Sequence, residues 1–446
     1  MSAHNVVILV DDRKRDLASA ALIAHHLQQL GCNCFLEPLE AYKAVLLVHK
    51  PDMIIFNHLL ASHLVAYSQR LHSMGILTAV LPNEALMYDR QVLNFNAGRF
   101  HKDAHIDYYF CWHGELKKAL LESGFHHSGT SLEVVGIPRF DFYFTPWSNM
   151  FHNSSPSRTQ KKRILLCTNF GLVALAERPK EEADKLFSAW APRISTLTDY
   201  WGCIYSLQQR RDALPAYILA LIQTGLYEVT LRPHPRENLT FYHNWLASLD
   251  PSLRQDIHLE AETHITQLIL NSDLTISVEK CTTTMESWIS RKPTISLIFD
   301  KHPMLYHEEF AQLNVSCYSP EELPGLVAQE LAAPEQSAFA AARQAHLERW
   351  CAALDGQTCQ RIASIIKQAV DNKAATRWSE MQFADYTRAA KMRLKTMLGL
   401  PYTFDLMLLI KSMLLPQRYA TKMETVQKTI TPKQIHAILK QIASVG

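Results

Sequence analysis

Two runs decide how this chain reads. The first is Tyr227-Glu228-Val229-Thr230-Leu231-Arg232-Pro233-His234-Pro235-Arg236-Glu237. The second is Leu274-Thr275-Ile276-Ser277-Val278-Glu279-Lys280-Cys281-Thr282-Thr283-Thr284-Met285-Glu286. Each opens with a short apolar strand pattern and ends in a loop of polar residues. After the second, Trp288 and Ile289 continue a helical pattern, Arg291-Lys292-Pro293 ends it, and Thr294 to Ile298 reads as the next strand.

A strand that runs through Ser and Thr into a helix leaves free backbone N–H groups at the positive end of the helix dipole. A phosphate is a natural occupant of that position. Ser277, Lys280, Thr282, Thr283 and Thr284 would add donors, and Glu286, one turn in, could accept from ribose hydroxyls. The same pattern also reads as helix caps in an ordinary strand–helix unit. The first run bears on that choice. Two prolines bracket His234 and stiffen the backbone, which predicts a presented imidazole flanked by Arg232 and Arg236. Arg-Pro-His-Pro at a strand end suits a second wall of a phosphate site.

Upstream the alternation of strand and helix is regular. Val6 to Val10 is a continuous apolar run, as in a buried parallel strand. Leu17, Ala20, Ala21, Ala24, Leu27 and Leu30 then recur at helical spacing up to Gly31. Asn33 to Leu36, Met53 to Phe56 and Thr78 to Leu81 repeat the strand pattern, which predicts a parallel sheet covered on both faces. There is no Gly-x-Gly-x-x-Gly, so no dinucleotide fingerprint. Ligands of such sheets sit beyond the carboxyl ends of strands. Asp11, Arg13, Arg15 and Asp16 fall there, and so does Glu84. Glu84 is the carboxylate best placed for chemistry, although an acid in a first helical turn is also favoured by the dipole alone. Asp11 and Asp16 read equally as solvated cap residues. Arg139, in the turn Gly136-Ile137-Pro138-Arg139-Phe140-Asp141, either lines a cleft or clamps a hinge.

Trp147 to Lys162 is rich in Ser, Asn, Pro and basic residues and reads as a linker. Ile164 to Cys167 starts a second sheet, followed by the loop Thr168-Asn169-Phe170-Gly171, with Asn169 near the expected ligand. Beyond about residue 320 the pattern is helical. The expected domains are 1–147, a linker 148–162, 163–330, and a basic helical extension 331–446.

The 446 residues are 48% hydrophobic and 20% charged, values of a globular protein with a real core. Nine scattered cysteines without a Cys-x-x-Cys pair argue against a disulfide framework or a structural zinc site. Met1 to Asn5 leads straight into a strand, and no apolar run is long enough to span a bilayer, so a cytoplasmic protein is expected. From residue 371 onward there are twelve Lys/Arg against five Asp/Glu, a charge of +7 in a chain whose net charge is +2. A basic tail on an acidic body points to an anionic partner, such as the inner face of the cytoplasmic membrane.

In their order along the chain, these motifs resemble GT-B glycosyltransferases of bacterial surface carbohydrate biosynthesis. The group with a His-Pro motif and a downstream Ser/Thr–Glu motif includes Kdo transferases, polysialyltransferases and teichoic-acid glycerophosphotransferases. Asn83-Glu84-Ala85, Trp112-His113-Gly114-Glu115, Val135 to Asp141 and Thr168-Asn169-Phe170 are similar to stretches of such proteins, and the resemblance spans roughly residues 5 to 330. Where the family carries Asp-Glu-Glu-Gly, this chain has Pro82-Asn83-Glu84-Ala85, so only Glu84 survives as an acid.

The resemblance implies two Rossmann-like domains facing a cleft, with the last helices crossing back onto the first. It further implies a glycosyltransferase that takes Kdo or a related nonulosonic acid from a CMP-sugar to a glycan, glycolipid or protein acceptor. Arg232, His234, Asn169, Ser277, Lys280, Thr282, Thr283, Thr284 and Glu286 would bind the donor. Glu84, with Asp11 and Asp16, would be catalytic, and Arg13, Arg15 and Arg139 would line the cleft. No Asp-x-Asp occurs, so neither metal nor other cofactor is implied, and no nucleic-acid partner is expected. A nucleotide-sugar 2-epimerase of the same fold, or a non-catalytic component of a polysaccharide assembly complex, are the alternatives.

Overall fold

The structure is a computed structural model. It describes all residues except 1–2, 100–102, 126–128, 153–159, 279–280, 333–338, 415–425 and 427–428. The chain forms two compact units. Residues 1–150 and 348–446 make the first, and 151–347 make the second.

The first unit is built on six parallel strands: β1 (Asn5–Val10), β2 (Asn33–Pro38), β3 (Met53–Phe56), β4 (Leu77–Val80), β5 (Tyr108–Cys111) and β6 (Ser131–Val134). Their order is β2-β1-β3-β4-β5-β6. β1 pairs with both β2 and β3, setting Val6 beside Cys34 on one side and Met53 on the other. Val6 to Val10 are all buried because helices cover both faces. The helix Leu17–Gln29 buries nearly its whole circumference, from Leu17 to Ala24 and at Leu27. Its alanines permit close approach by two C-terminal helices, Thr358–Asp371 and Pro432–Ala443.

The helical region expected over 331–446 thus divides at residue 347. Residues 348–446 pack with the first unit, and the boundary falls inside the helix Ala340–Cys351. The turn Gly136 to Asp141 locks the return. Both Asp141 carboxylate oxygens accept from the first N–H groups of the helix Thr358–Asp371, from Thr358 at 3.0 Å and Cys359 at 2.7 Å. Gly136 has φ of +101°, and a Cβ there would lie 2.9 Å from Thr358 Oγ1. Only glycine allows both that backbone angle and that contact.

The second unit carries β7 (Lys162–Cys167), β8 (Tyr227–Arg232), β9 (Ile257–Leu259), β10 (Leu274–Val278), β11 (Thr294–Leu297) and β12 (Val315–Cys317). The order is β12-β11-β10-β7-β8-β9, all parallel. The helix Tyr200–Ile222 packs on this sheet through Leu207, Leu214, Ile218 and Leu221, an i, i+3/i+4 stripe. Its Arg210 is 1% exposed and is neutralised by Asp300, which also accepts from Ser206 and the His302 N–H. The second His-Pro pair, His302-Pro303, therefore belongs to a structural turn. All nine cysteines are free thiols.

Candidate functional site

Both sheets reverse strand order once, and a doubly wound sheet opens a crevice at that point. In the second unit the reversal lies between β7 and β10. The register sets Ser277 beside Cys167, and Cys167 beside Arg232, so three strand ends finish side by side. Of the sequence-derived residues, Arg232 and Ser277 lie at the ends of β8 and β10, Asn169 and His234 lie on the loops after β7 and β8, and Thr282, Thr283 and Thr284 open the helix after β10. Lys280 lies outside the described residues.

Glu237, to which the sequence pattern assigns no role, holds these loops together. Its Oε1 accepts from Thr168 Oγ1 at 2.6 Å, from the Phe170 N–H at 2.9 Å and from the His234 N–H at 2.9 Å. Its Oε2 accepts from the Tyr242 hydroxyl. One carboxylate thus pins the loop after β7 to the loop after β8. An acid three residues beyond the histidine, on the turn made by the two prolines, was the available signal. Gly171 completes the closure, since a Cβ there would meet His234 Nδ1 at 3.0 Å.

His234 is half-buried rather than fully presented. Its Nδ1 accepts from the Arg236 N–H at 3.2 Å, so the prolines fold the ring back onto its own turn. Burial, reinforced by the charges of Arg236 and Arg232, pushes its pKa down to about 4. At neutral pH it is therefore an uncharged hydrogen-bonding group. Arg232 reaches the Glu260 carbonyl at 3.1 Å, and burial lowers its pKa.

The helix Thr282–Ile289 begins at Cys281, whose side chain makes no capping bond. Thr282 and Thr283 are half-buried at its start. Thr283 Oγ1 is a buried hydroxyl beside the Cys167 thiol. Ser277 and Thr284 sit differently. Their hydroxyls lie 2.7 Å apart and are buried, tying β10 to the helix. Glu286 is 2% exposed, so its carboxylate sits within the unit rather than at an open position.

In the first unit the reversal lies between β1 and β3. There a pocket of about 50 Å³ is lined by Arg15, Asp16, Asn83, Trp112, Pro138 and Arg139 among others. Arg15 ties the acids together, with Nη2 3.0 Å from Asp11 and Nε 2.7 Å from Asp16. Asn83 also donates to Asp11 at 3.4 Å. Burial opposes the charge on Arg15, but the hydrogen bond and charge of Asp16, with Glu84 and Asp11 nearby, raise its pKa. Burial pushes the Asp16 carboxyl up, and Arg15 pulls part of that back.

Glu84 is exposed on the loop after β4. Arg13 is half-buried, and Arg139 lies over the Trp112 ring at 5.0 Å. Trp112 is 2% exposed, and its Nε1 has no hydrogen-bond partner among the described residues. The structure therefore brings Asp11, Arg15, Asp16 and Glu84 together in one unit, and the His234 and Thr282–Thr284 loops together in the other.

No protein-family model and no curated protein matches the chain. Solved structures do. A protein of Listeria monocytogenes assigned as a UDP-N-acetylglucosamine 2-epimerase is 11% identical with a TM-score of 0.50, covering 84% of this chain and 98% of that one. The UDP-GlcNAc 2-epimerase of Methanocaldococcus jannaschii, with UDP-GlcNAc and UDP, is 14% identical at 0.48, covering 82% and 99%. The wall teichoic acid polymerase TagF is 14% identical at 0.48, covering 82% and 88%. At such identities the likeness is one of fold. This chain is an α/β protein of GT-B-like fold, with two six-stranded parallel-sheet units and a helical C-terminal region.

Proposed function

We propose that the protein is a glycosyltransferase whose second unit binds a nucleotide-activated sugar and whose first unit carries the acceptor site and the carboxylate chemistry. The observation that carries this is the second unit's switch point. There the helix start at Cys281, whose side chain makes no capping bond, follows β10, beside a loop pair that Glu237 clamps. The first N–H groups of the helix, at Thr282 and Thr283, and the helix dipole favour the donor's phosphate. A neutral His234 adds a hydrogen bond without a competing charge. In the reaction an acceptor hydroxyl oxygen attacks the anomeric carbon, and that carbon's bond to the phosphate oxygen breaks. The bonding electrons leave on the phosphate, where positive dipoles stabilise them. The hydroxyl proton passes to a carboxylate, for which Glu84 is our choice, with Asp11 and Asp16 behind it.

The His-Pro and Ser/Thr–Glu resemblance supports a CMP-linked donor, Kdo or a related nonulosonic acid. A thermal-shift comparison of CMP with UMP tests it. Ligand at about 100 times its Kd adds ~2.7 kcal/mol of stability. A shift with CMP alone is expected, and a shift with UMP alone overturns the donor assignment. The likeness to 2-epimerases favours a second reading. Conversion of UDP-GlcNAc to its 2-epimer without any acceptor would establish that reading in place of transfer.

A further inference from the structure

The C-terminal helices of the first unit leave apolar surface uncovered. Of seventeen large hydrophobic residues exposed among the described residues, ten lie between Phe383 and Leu414. They are not scattered. The helix Phe383–Met397 turns Asp385, Ala389 and Met392 inward, and buried Asp385 is anchored by Arg70. Phe383, Tyr386, Leu394 and Met397 are exposed, at spacings of three, eight and three, which places them on one outer stripe. The helix Leu406–Leu414 exposes Leu406, Met407, Ile410, Met413 and Leu414. Those positions are i, i+1, i+4, i+7 and i+8, a single face about 120° wide by 3.6-residue geometry. Leu408, Leu409 and Ser412 on the other side are half-buried. Lys395 fastens the intervening segment by donating to the Phe404 carbonyl at 2.6 Å and to that of Tyr402.

Exposed apolar stripes of this kind are rarely left facing water without a use. Charge selects the occupant. Lys391, Arg393 and Lys411 are exposed on the same two helices. The exposed acid, Asp405, caps the N–H groups of Met407 and Leu408 at 3.0 and 3.2 Å. The chain from residue 371 onward carries +7. Among the described residues no helix is long and apolar enough to cross a membrane. Apolar stripes bordered by cations on helices too short to span are the pattern of elements that lie in a lipid interface. We propose that the helices Phe383–Met397 and Leu406–Leu414 form a docking face for an anionic membrane surface. Their apolar stripes enter the headgroup–acyl boundary, and Lys391, Arg393 and Lys411 meet lipid phosphates.

Vesicle sedimentation of the full chain tests this, with phosphatidylcholine alone and with phosphatidylcholine mixed with phosphatidylglycerol. Wild type should pellet with the mixed vesicles, less so as salt rises. Met407→Glu/Ile410→Glu/Met413→Glu changes exposed side chains only. It should keep the wild-type melting temperature and lower the partition coefficient at least about tenfold. Lys391→Glu/Lys411→Glu leaves the stripes intact and should remove the preference for the anionic vesicles. Wild type that stays in the supernatant with both vesicle types overturns the proposal, as does a triple variant that binds like wild type. A wild-type dimer in sedimentation velocity that the triple variant turns into monomer, without vesicle binding, assigns the face to a second copy and also overturns it.

Discussion

Glu237→Ala is the perturbation that best tests how the second unit's site is held. The carboxylate accepts four hydrogen bonds, two from the backbone N–H groups of Phe170 and His234 and two from the hydroxyls of Thr168 and Tyr242. Hydrogen bonds to a charged acceptor contribute roughly 1.5–3 kcal/mol each, and neutral ones about 1. Glu237 is half-buried, so water can reach part of the space left by truncation. That discount brings the four bonds to a loss of about 3–5 kcal/mol. Glu237→Gln should lose only about 1–2 kcal/mol. Its amide oxygen can keep the three donors on the Oε1 side, and its NH₂ can donate to Tyr242, so the main loss is charge. The assays are denaturant unfolding and hydrogen exchange, the second read at the Phe170 and His234 amides. Both amides should lose protection in the alanine variant, and nucleotide binding should weaken with them. An alanine variant within about 1 kcal/mol of wild type, with both amides still protected, would refute the clamp.

Glu84→Gln keeps shape and removes charge, so turnover should fall at least about a hundredfold with nucleotide affinity unchanged; near-normal turnover would shift the base to Asp11 or Asp16. The depressed His234 pKa has a pH signature. Between about pH 6.5 and 4 the unfolded chain binds a proton that the folded one refuses. Stability is therefore full above pH 6.5 and falls by up to about 3 kcal/mol as pH drops through that window. His234→Asn keeps an acceptor near the Nδ1 position and does not titrate, so stability curves that run parallel for variant and wild type would contradict this. Gly136→Ala should cost about 2–4 kcal/mol, because its φ of +101° and the contact with Thr358 both oppose a Cβ. A melt unchanged from wild type would mean that the turn relaxes freely.

The sequence by itself determined the two-sheet α/β architecture. Continuous apolar runs such as Val6 to Val10 and Ile164 to Cys167 are strands buried on both faces, and the helical spacing from Leu17 to Leu27 is a covering helix. It also put Asp11, Glu84, His234 and Thr282 in the segments that follow runs recognisable as strands. Two short edge strands, β9 and β12, escaped it, because three residues carry too little periodicity to register.

Partnership was decided by the tertiary structure. That Ser277 and Thr284 bond each other, that Glu286 is buried, and that Glu237 gathers four donors all depend on which strand ends lie side by side. Strand order is set by crossover connections and long-range packing, not by any local pattern. The return of the chain to the first unit was expected only from the family resemblance, and no local pattern showed the contact that fixes it. It rests on Asp141 meeting the N–H groups of Thr358 and Cys359. Those residues are more than two hundred positions apart in sequence, and only the folded chain brings the acid to the positive end of that helix.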